Sequence, residues 1–502
     1  MVKKKKANGA VLACCRWLAP LMAAWLPVTA AMAADFPAVA ALQAHGALVS
    51  AMAVDLDSGK VIWQRDPRRR LTPASVSKLY TAAAALDRWG PNHHFTTRLL
   101  RDGEIRNGVL HGNLIFLGAG DPSLDERDLW SLVRQLRAQG IQRIDGRLEI
   151  NQSLFGTVSC GTKDRCKAQT ATYHAYDAPL SAAGVDFATW CVEVRPAEQV
   201  GRPAVVAWCR VPVPSVKLDG QVATVAGNQT AAVAVSRRTR DGHDRLSVSG
   251  RVPLGGDPVR VFRSVSDPAR QTAAILQALL HDEGIEVSGD DVVSDQPPPA
   301  GAQALATVDG QSLGDQLSRM MTYSNNYMAD MLALDLVAYG DPAGPVTLAA
   351  AGEHLQEMAK AAAQRVSDRV TVGDGSPILR SGSGLTVDSH LSAADLVALL
   401  SDLYRRSDLF PPFLGTLSVP RYSPLHMLNR GNPTWLSRLS VKTGSLNDPY
   451  SVMALAGYYR TGRGGWGTFA IIINGSPSWA HVPFADALAA IRKDITVLLK
   501  SQ

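Results

Sequence analysis

A chain of 502 residues, 46% of them apolar and 19% charged, is too long for one ordinary hydrophobic core and calls for two or more domains. No low-complexity tract dominates, which excludes a fibrous or wholly disordered protein. The formal charge of +6 is concentrated near the N-terminus in Lys3, Lys4, Lys5, Lys6 and Arg16; without them it is +1, too little for the electrostatic footprint of a nucleic-acid partner.

The four lysines open the segment MVKKKKANGAVLACCRWLAPLMAAWLPVTAAMAAD, which continues as an apolar stretch and a small-x-small site at Ala31-Met32-Ala33. This is the pattern of a secretory signal peptide, expected to be cut after Ala33, so residues 1–33 stand apart from the fold. An uncleaved anchor is disfavoured by the short, interrupted apolar run. A lipoprotein cut before Cys14 is disfavoured by the few apolar residues ahead of it. Next, LVSAMAVDLDSGKVIWQRD, from Leu48 to Asp66, alternates apolar and polar residues on both sides of Asp57-Ser58-Gly59 and predicts a β-hairpin. Arg68, Arg69 and Arg70 read as a solvated loop. A helix follows in TPASVSKLYTAAAALDRW, with Thr72 as N-cap, Pro73 as first helical residue and Gly90-Pro91 as the stop.

From about residue 96 to residue 267 the texture is of short β-like runs between turns, with RDLWSLVRQLRAQG the one convincing helix. The stretch predicts a β-rich insert of one or two lobes. It holds Cys160, Cys166, Cys191 and Cys209, the cysteines that remain after cleavage. In an exported chain four cysteines favour two disulfides. Three pairings are open, and Cys160–Cys166 with Cys191–Cys209 is preferred because each closes a local loop. Zinc is disfavoured: the four form no C-x-x-C pair, and His174 alone is a poor fourth ligand.

Helices return at SVSDPARQTAAILQALLHDEG, and QPPPAGAQ from Gln296 is a linker-like loop. SLGDQLSRMMTYSNNYMADMLALDLVAYG is helical with a polar interruption, and LSAADLVALLSDLYRR is a further helix. Strands resume in RLSVKTGSLN, SVMALAGYYRTG and GTFAIIING, the last two apolar enough for the centre of a sheet covered by helices. FADALAAIRKDITVLLK closes the chain as a helix. The predicted fold class is therefore α/β (α+β), an antiparallel sheet covered by helices with a β-rich insertion. The predicted domain comprises residues 34–95 and 268–502, with residues 96–267 as the insert.

Three short motifs carry chemistry. Ser75 and Lys78 share one face at the start of a helix, so a weak hydroxyl nucleophile has a base beside it if burial and neighbouring positive charge lower the lysine's pKa. Ser324-Asn325-Asn326 interrupts a helical run. Lys442-Thr443-Gly444-Ser445 sits in a strand-like run, read as an inner strand. Each also has a plain structural reading: Ser324 as a helix cap, Asn326 as a turn residue, Lys442 as a strand-edge charge, Gly444 as a bulge. S-x-x-K, S-x-N and K-T-G in that order form the signature of serine β-lactamases and penicillin-binding proteins.

With LTPASVSKL, GAGDPSL, YDAPLSA, MMTYSNNYMAD, SGSGL and VKTGSLND, the chain resembles the low-molecular-mass penicillin-binding proteins of the D-alanyl-D-alanine carboxypeptidase/endopeptidase family that carry a large insert. Ser324 lies 249 residues after Ser75, a spacing for which a β-lactamase has no room. The resemblance implies a serine β-lactamase/DD-peptidase-like fold and a periplasmic hydrolase of D-Ala-type bonds in peptidoglycan stem peptides. It implies no cofactor and no metal, and β-lactams as acylating inhibitors. Ser75 would be the nucleophile and Lys78 its base. Ser324 would relay a proton to the leaving amine, Asn326 would position substrate or Lys78, and Lys442 would add positive potential. Thr443, Gly444, Ser445, Ser383 and Leu385 would bind substrate. One departure is Ser381, where the family usually has an acidic or amide residue before G-S-G-L; Asp374 is near in sequence but not aligned with it. A homodimer and peripheral contacts with membrane or wall machinery are compatible with the resemblance. The competing functions are a β-lactamase and a catalytically weak wall-binding or scaffold protein.

Overall fold

The computed structural model describes residues 36–171, 173–340, 344–371 and 376–502. The expected signal peptide and Asp374 lie outside the described residues. Two apolar runs dictate the centre of the molecule. In GTFAIIIN the side chains alternate faces, as strand geometry requires. Phe469, Ile471 and Ile473 enter one buried cluster, whereas Ala470 and Ile472 enter another. Each fully buried isoleucine contributes roughly 1.5–3 kcal/mol, so a one-residue slip of register would be costly on both faces.

The sheet built around that strand is antiparallel throughout. Its strands are β1 (Leu48–Asp55), β2 (Val61–Arg65), β3 (Leu439–Leu446), β4 (Val452–Arg460) and β5 (Trp466–Asn474), in the spatial order β3-β4-β5-β1-β2. The predicted hairpin is β1–β2, and the two apolar runs are the inner strands β4 and β5. The motif strand β3, expected inside the sheet, is instead an edge strand paired with β4 alone in that sheet, with Lys442 opposite Ala456 and Gly444 opposite Ala454. The physical reason is access: an inner strand has helices on both faces and strands on both sides, and nothing could reach its backbone.

One face of the sheet is covered by the helix Pro37–Ala44 and by the C-terminal helix, whose Ile491, Ile495 and Leu498 join the cluster of Ile471 and Ile473. The other face carries small residues, Ala454, Ala456 and Ala470, and is covered by the helix Ala393–Tyr404 and by the turn that holds Ser75. The other candidate segments stand on or beside α1 (Lys78–Trp89), α2 (Lys163–Ala171), α3 (Leu313–Tyr323) and α4 (Asn326–Ala338). Of these, α2 belongs to the stretch between α1 and α3 and reaches back to the site from there. It escapes sequence detection because KDRCKAQTA has no apolar stripe to mark a buried face.

The chain leaves the first sheet after α1 and builds further sheets before returning. Thr96–Arg101, Leu114–Leu117, Leu148–Asn151, Val292–Ser294 and Gln303–Asp309 form one mixed five-stranded sheet. Pairing with the strands of residues 96–151 thus continues past residue 267 to Asp309. Two three-stranded sheets lie between, one of them joining Lys217–Val225, His243–Pro253 and Ala232–Arg240. The cysteines form Cys160–Cys166 and Cys191–Cys209, the two locally closed loops preferred from the sequence.

Candidate active site

The helix that carries Ser75 does not start as expected. Thr72 does not cap it; its Oγ1 donates to the Val387 carbonyl 3.3 Å away. Ala74–Ser77 forms a single 3₁₀ turn that runs into α1 at Lys78. Ala74 has φ 51, left-handed backbone that costs a non-glycine residue of order 1 kcal/mol. The surroundings hold it there: a Cβ on Gly384 would lie 2.1 Å from the Ala74 carbonyl oxygen, and one on Gly444 would lie 2.7 Å from Pro73 O and 3.0 Å from Ser75 N. Both glycines are therefore close-approach positions. Gly444 is not a bulge; it lets β3 run against the turn that presents Ser75.

Ser75 and Lys78 meet across this turn, with Lys78 Nζ 2.9 Å from Ser75 Oγ. The same nitrogen donates to Asn326 Oδ1 at 2.7 Å and to the Ser383 carbonyl at 2.8 Å. Asn326 Nδ2 donates to the Tyr176 carbonyl at 3.1 Å, which orients the amide with its oxygen toward the lysine. Lys78 is fully buried, and its pKa lies well below the ordinary 10.5. Burial is the largest cause, followed by repulsion from Lys442; Asp330 opposes the shift and Arg165 adds to it. A neutral amine has two N–H groups and one lone pair. Two of its three neighbours are carbonyl oxygens, which only accept. The lone pair is thereby left for the Ser75 hydroxyl, the arrangement a general base requires.

Ser324 ends α3 in left-handed backbone, φ 55. It is a helix C-terminal residue, as its plain reading had it, and also the acceptor of a 2.9 Å hydrogen bond from Lys442 Nζ. Asn325, not Asn326, caps α4, accepting from Met328 N at 3.1 Å. That frees Asn326, at the first position of α4, for Lys78. Lys442 Nζ also donates to the Thr443 carbonyl at 2.8 Å.

Burial pushes the Lys442 ammonium from 10.5 down to about 7. In the unfolded chain it keeps an ordinary pKa of about 10.4. Between those values the unfolded state holds a proton that the folded state has released, so this group's contribution to stability rises with pH through the window and is least favourable at about 7 and below. Lys442→Met should therefore gain in Tm relative to the parent as pH falls from about 10 to about 7. A Tm difference that is flat with pH would show that Lys442 is not held neutral by burial.

The cleft has a volume of about 500 Å³ and is lined by Ser75, Ser324, Asn326, Leu385 and Ser445, among others. Lys78, Lys442, Thr443 and Ser383 are buried. Ser383 gives its carbonyl to Lys78, and its hydroxyl accepts from Leu385 N at 3.1 Å. Ser381 Oγ accepts from Gly384 N at 3.2 Å, so the residue that departs from the family pattern still holds this turn.

Sequence reasoning passed over three residues at the site. Asp330, one helical turn after Asn326 in the quoted MMTYSNNYMAD, accepts from Ser383 N at 2.8 Å. Its spacing of four from Asn326 was the available signal. Arg165 pairs with Asp330, and Asp164 accepts from Val387 N at 3.0 Å and from Thr386 Oγ1 at 3.2 Å. Both stand on α2, and nothing local announces either.

The sequence pattern of the D-Ala-D-Ala carboxypeptidase 3 (S13) family matches residues 31–495. The chain is 28% identical over 443 residues to the D-alanyl-D-alanine carboxypeptidase DacB of Haemophilus influenzae, covering 86% of each chain. It is 27% identical over 463 residues to the D-alanyl-D-alanine carboxypeptidase of Actinomadura sp. strain R39, covering 89% of this chain and 81% of that one. The crystal structure of penicillin binding protein 4 (dacB) from Haemophilus influenzae matches with a TM-score of 0.72 over 92% of this chain and 99% of that one, at 24% identity. That likeness is one of fold, and it is the fold class expected from the sequence.

Proposed function

Because the chain belongs to the D-Ala-D-Ala carboxypeptidase 3 (S13) family, and is by that membership a serine-type D-Ala-D-Ala carboxypeptidase, we propose that it hydrolyses D-Ala-type bonds of peptidoglycan stem peptides through an acyl-enzyme on Ser75. The observation that carries this reading is the meeting of Ser75, Lys78 and Asn326 around one buried nitrogen. Ser75 Oγ bonds to the carbonyl carbon of the scissile amide as its proton passes to Lys78 Nζ. The backbone N–H groups of Ser75 and Ser445 receive the developing oxyanion. The C–N bond then breaks, and the leaving amine takes a proton through Ser324, which Lys442 orients from behind. Water attacks the ester, releasing the shortened peptide's carboxylate and restoring Ser75. Thr443 and Ser445 hold the substrate's terminal carboxylate, Lys442 adds positive potential, and Leu385 and Ser383 shape the cleft. A β-lactam presents a reactive amide to the same serine and leaves it slowly.

Among the described residues no helix is long and apolar enough to cross a membrane, and two disulfides suit an oxidising compartment. With the N-terminal signal read from sequence, this supports a periplasmic location. The inserted region is best drawn over residues 96–309 instead of 96–267, because strand pairing continues to Asp309.

Incubation of purified mature protein with muropeptides, followed by chromatography and mass analysis, tests the activity. Loss of a terminal D-Ala from pentapeptides is the result expected of a carboxypeptidase. Conversion of cross-linked dimers to monomers would add endopeptidase action. Unchanged muropeptides would overturn the proposal.

A further inference from the structure

The cleft contains a cation that the acylation scheme does not use. Arg165 stands on α2, a helix outside the sheet and outside the helices that carry the reactive groups. It is 3% exposed, and its guanidinium donates to Asp330 Oδ2 on α4. Asp330 is fully buried, and its other oxygen accepts from Ser383 N at 2.8 Å. The Ser383 carbonyl accepts from Lys78 Nζ at 2.8 Å, and Lys78 reaches Ser75. An unbroken polar chain thus runs from α2 to the candidate nucleophile. Asp164, the preceding residue, fastens the start of α2 to the Thr386 hydroxyl and the Val387 N–H on the same wall. Both residues lie inside the short loop closed by Cys160–Cys166. With no apolar stripe to seat it, α2 depends on these polar and covalent ties for its position.

We propose that Arg165, contributed from outside the peptidase sheet, is a positioning residue for the Ser75–Lys78 pair, and that the Cys160–Cys166 bridge holds it in place. The inference rests on the acyl-enzyme reading given above. Its electrostatics are specific. The charged groups acting on Lys78 are Lys442 on β3, Asp330 on α4 and Arg165 on α2, and Asp164, Asp177 and Asp448 line the same cleft. Asp330 by itself favours the ammonium form of Lys78, the form that cannot act as a base. Arg165 offsets that carboxylate while leaving it free to hold the Ser383 backbone. Removing the guanidinium leaves a buried, uncompensated carboxylate three hydrogen bonds from the nucleophile.

The test is the acylation rate with a fluorescent penicillin, measured against pH on the purified full-length mature chain, with Ser75→Ala as the blank. Arg165→Gln should slow acylation at neutral pH by about 10- to 100-fold, and it should move the acid limb of the profile upward by about one pH unit. Arg165→Lys should recover most of both. Asp330→Asn combined with Arg165→Gln, which removes both charges, should return the limb toward its parent position. The double variant Cys160→Ser/Cys166→Ser should shift the limb in the same direction as Arg165→Gln, whereas Cys191→Ser/Cys209→Ser should leave it in place. The last two comparisons do not depend on Arg165→Gln folding. A labelled parent whose limb is unmoved in Arg165→Gln, or in Cys160→Ser/Cys166→Ser if the former does not fold, overturns the role of Arg165 alone. A parent that takes no label overturns the acyl-enzyme reading itself.

Discussion

Ser75→Ala is expected to abolish both muropeptide hydrolysis and covalent penicillin labelling. On the proposed mechanism the substitution removes the atom that forms the bond, so no acyl-enzyme would accumulate whatever the rest of the site does. The loss in kcat/KM should reach about 10⁴-fold or more, about 5 kcal/mol of transition-state stabilisation. The fold should survive, because Ser75 sits on a partly exposed turn and its Oγ is one of three partners of Lys78. A melting temperature close to the parent's would show that the loss is chemical. Undiminished labelling of Ser75→Ala would place the nucleophile elsewhere.

Lys78 carries the second large effect. Replacement by Ala should slow acylation about 10³-fold, within the range for loss of a positioned general base. Lys78→Arg separates the proton acceptor from the positive charge. A guanidinium stays protonated at any working pH, so this variant would carry a permanent charge and lack a base. Equal impairment of the two variants is the expected outcome. Activity retained in Lys78→Arg would mean that the position supplies only positive potential.

The pH profile gives the sign. The base must be neutral to act, and burial favours the neutral form, aided by the Lys442 charge at about pH 7 and below, where that ammonium is still present. Acylation should therefore rise with pH through a limb well below 10.5. A limb at the ordinary lysine value would contradict the buried, neutral amine that the hydrogen-bond pattern calls for.

Much of this molecule was legible locally. The continuous apolarity of ALAGYY and FAIIING marked the inner strands, because a strand covered by helices buries both of its faces. Ser75 and Lys78 could be joined from sequence alone because three residues of helical chain bring them to one face. The disulfide pairing was left open among three by the sequence; local loop closure gave a preference, and the structure has that pairing.

What sequence by itself determined is thus the central strands and the apolar-striped helices, the candidate reactive residue types and, through motif order and spacing, the family. What only the tertiary structure decided is convergence. Lys78 and Asn326 are 248 residues apart, and Arg165 and Asp330 are 165 apart. No local pattern records such a pair, because its strength depends on the solvent and dielectric around it, and those exist only once the chain has closed over both partners. Placing K-T-G on an edge strand, starting the helix with a 3₁₀ turn and continuing strand pairing to Asp309 have the same origin. Each was set by which neighbours were available in space. The helix α2 is the sharpest case: as a polar stretch it has no buried face to declare, and it acquires a role only where Asp330, Ser383 and the Cys160–Cys166 loop meet it.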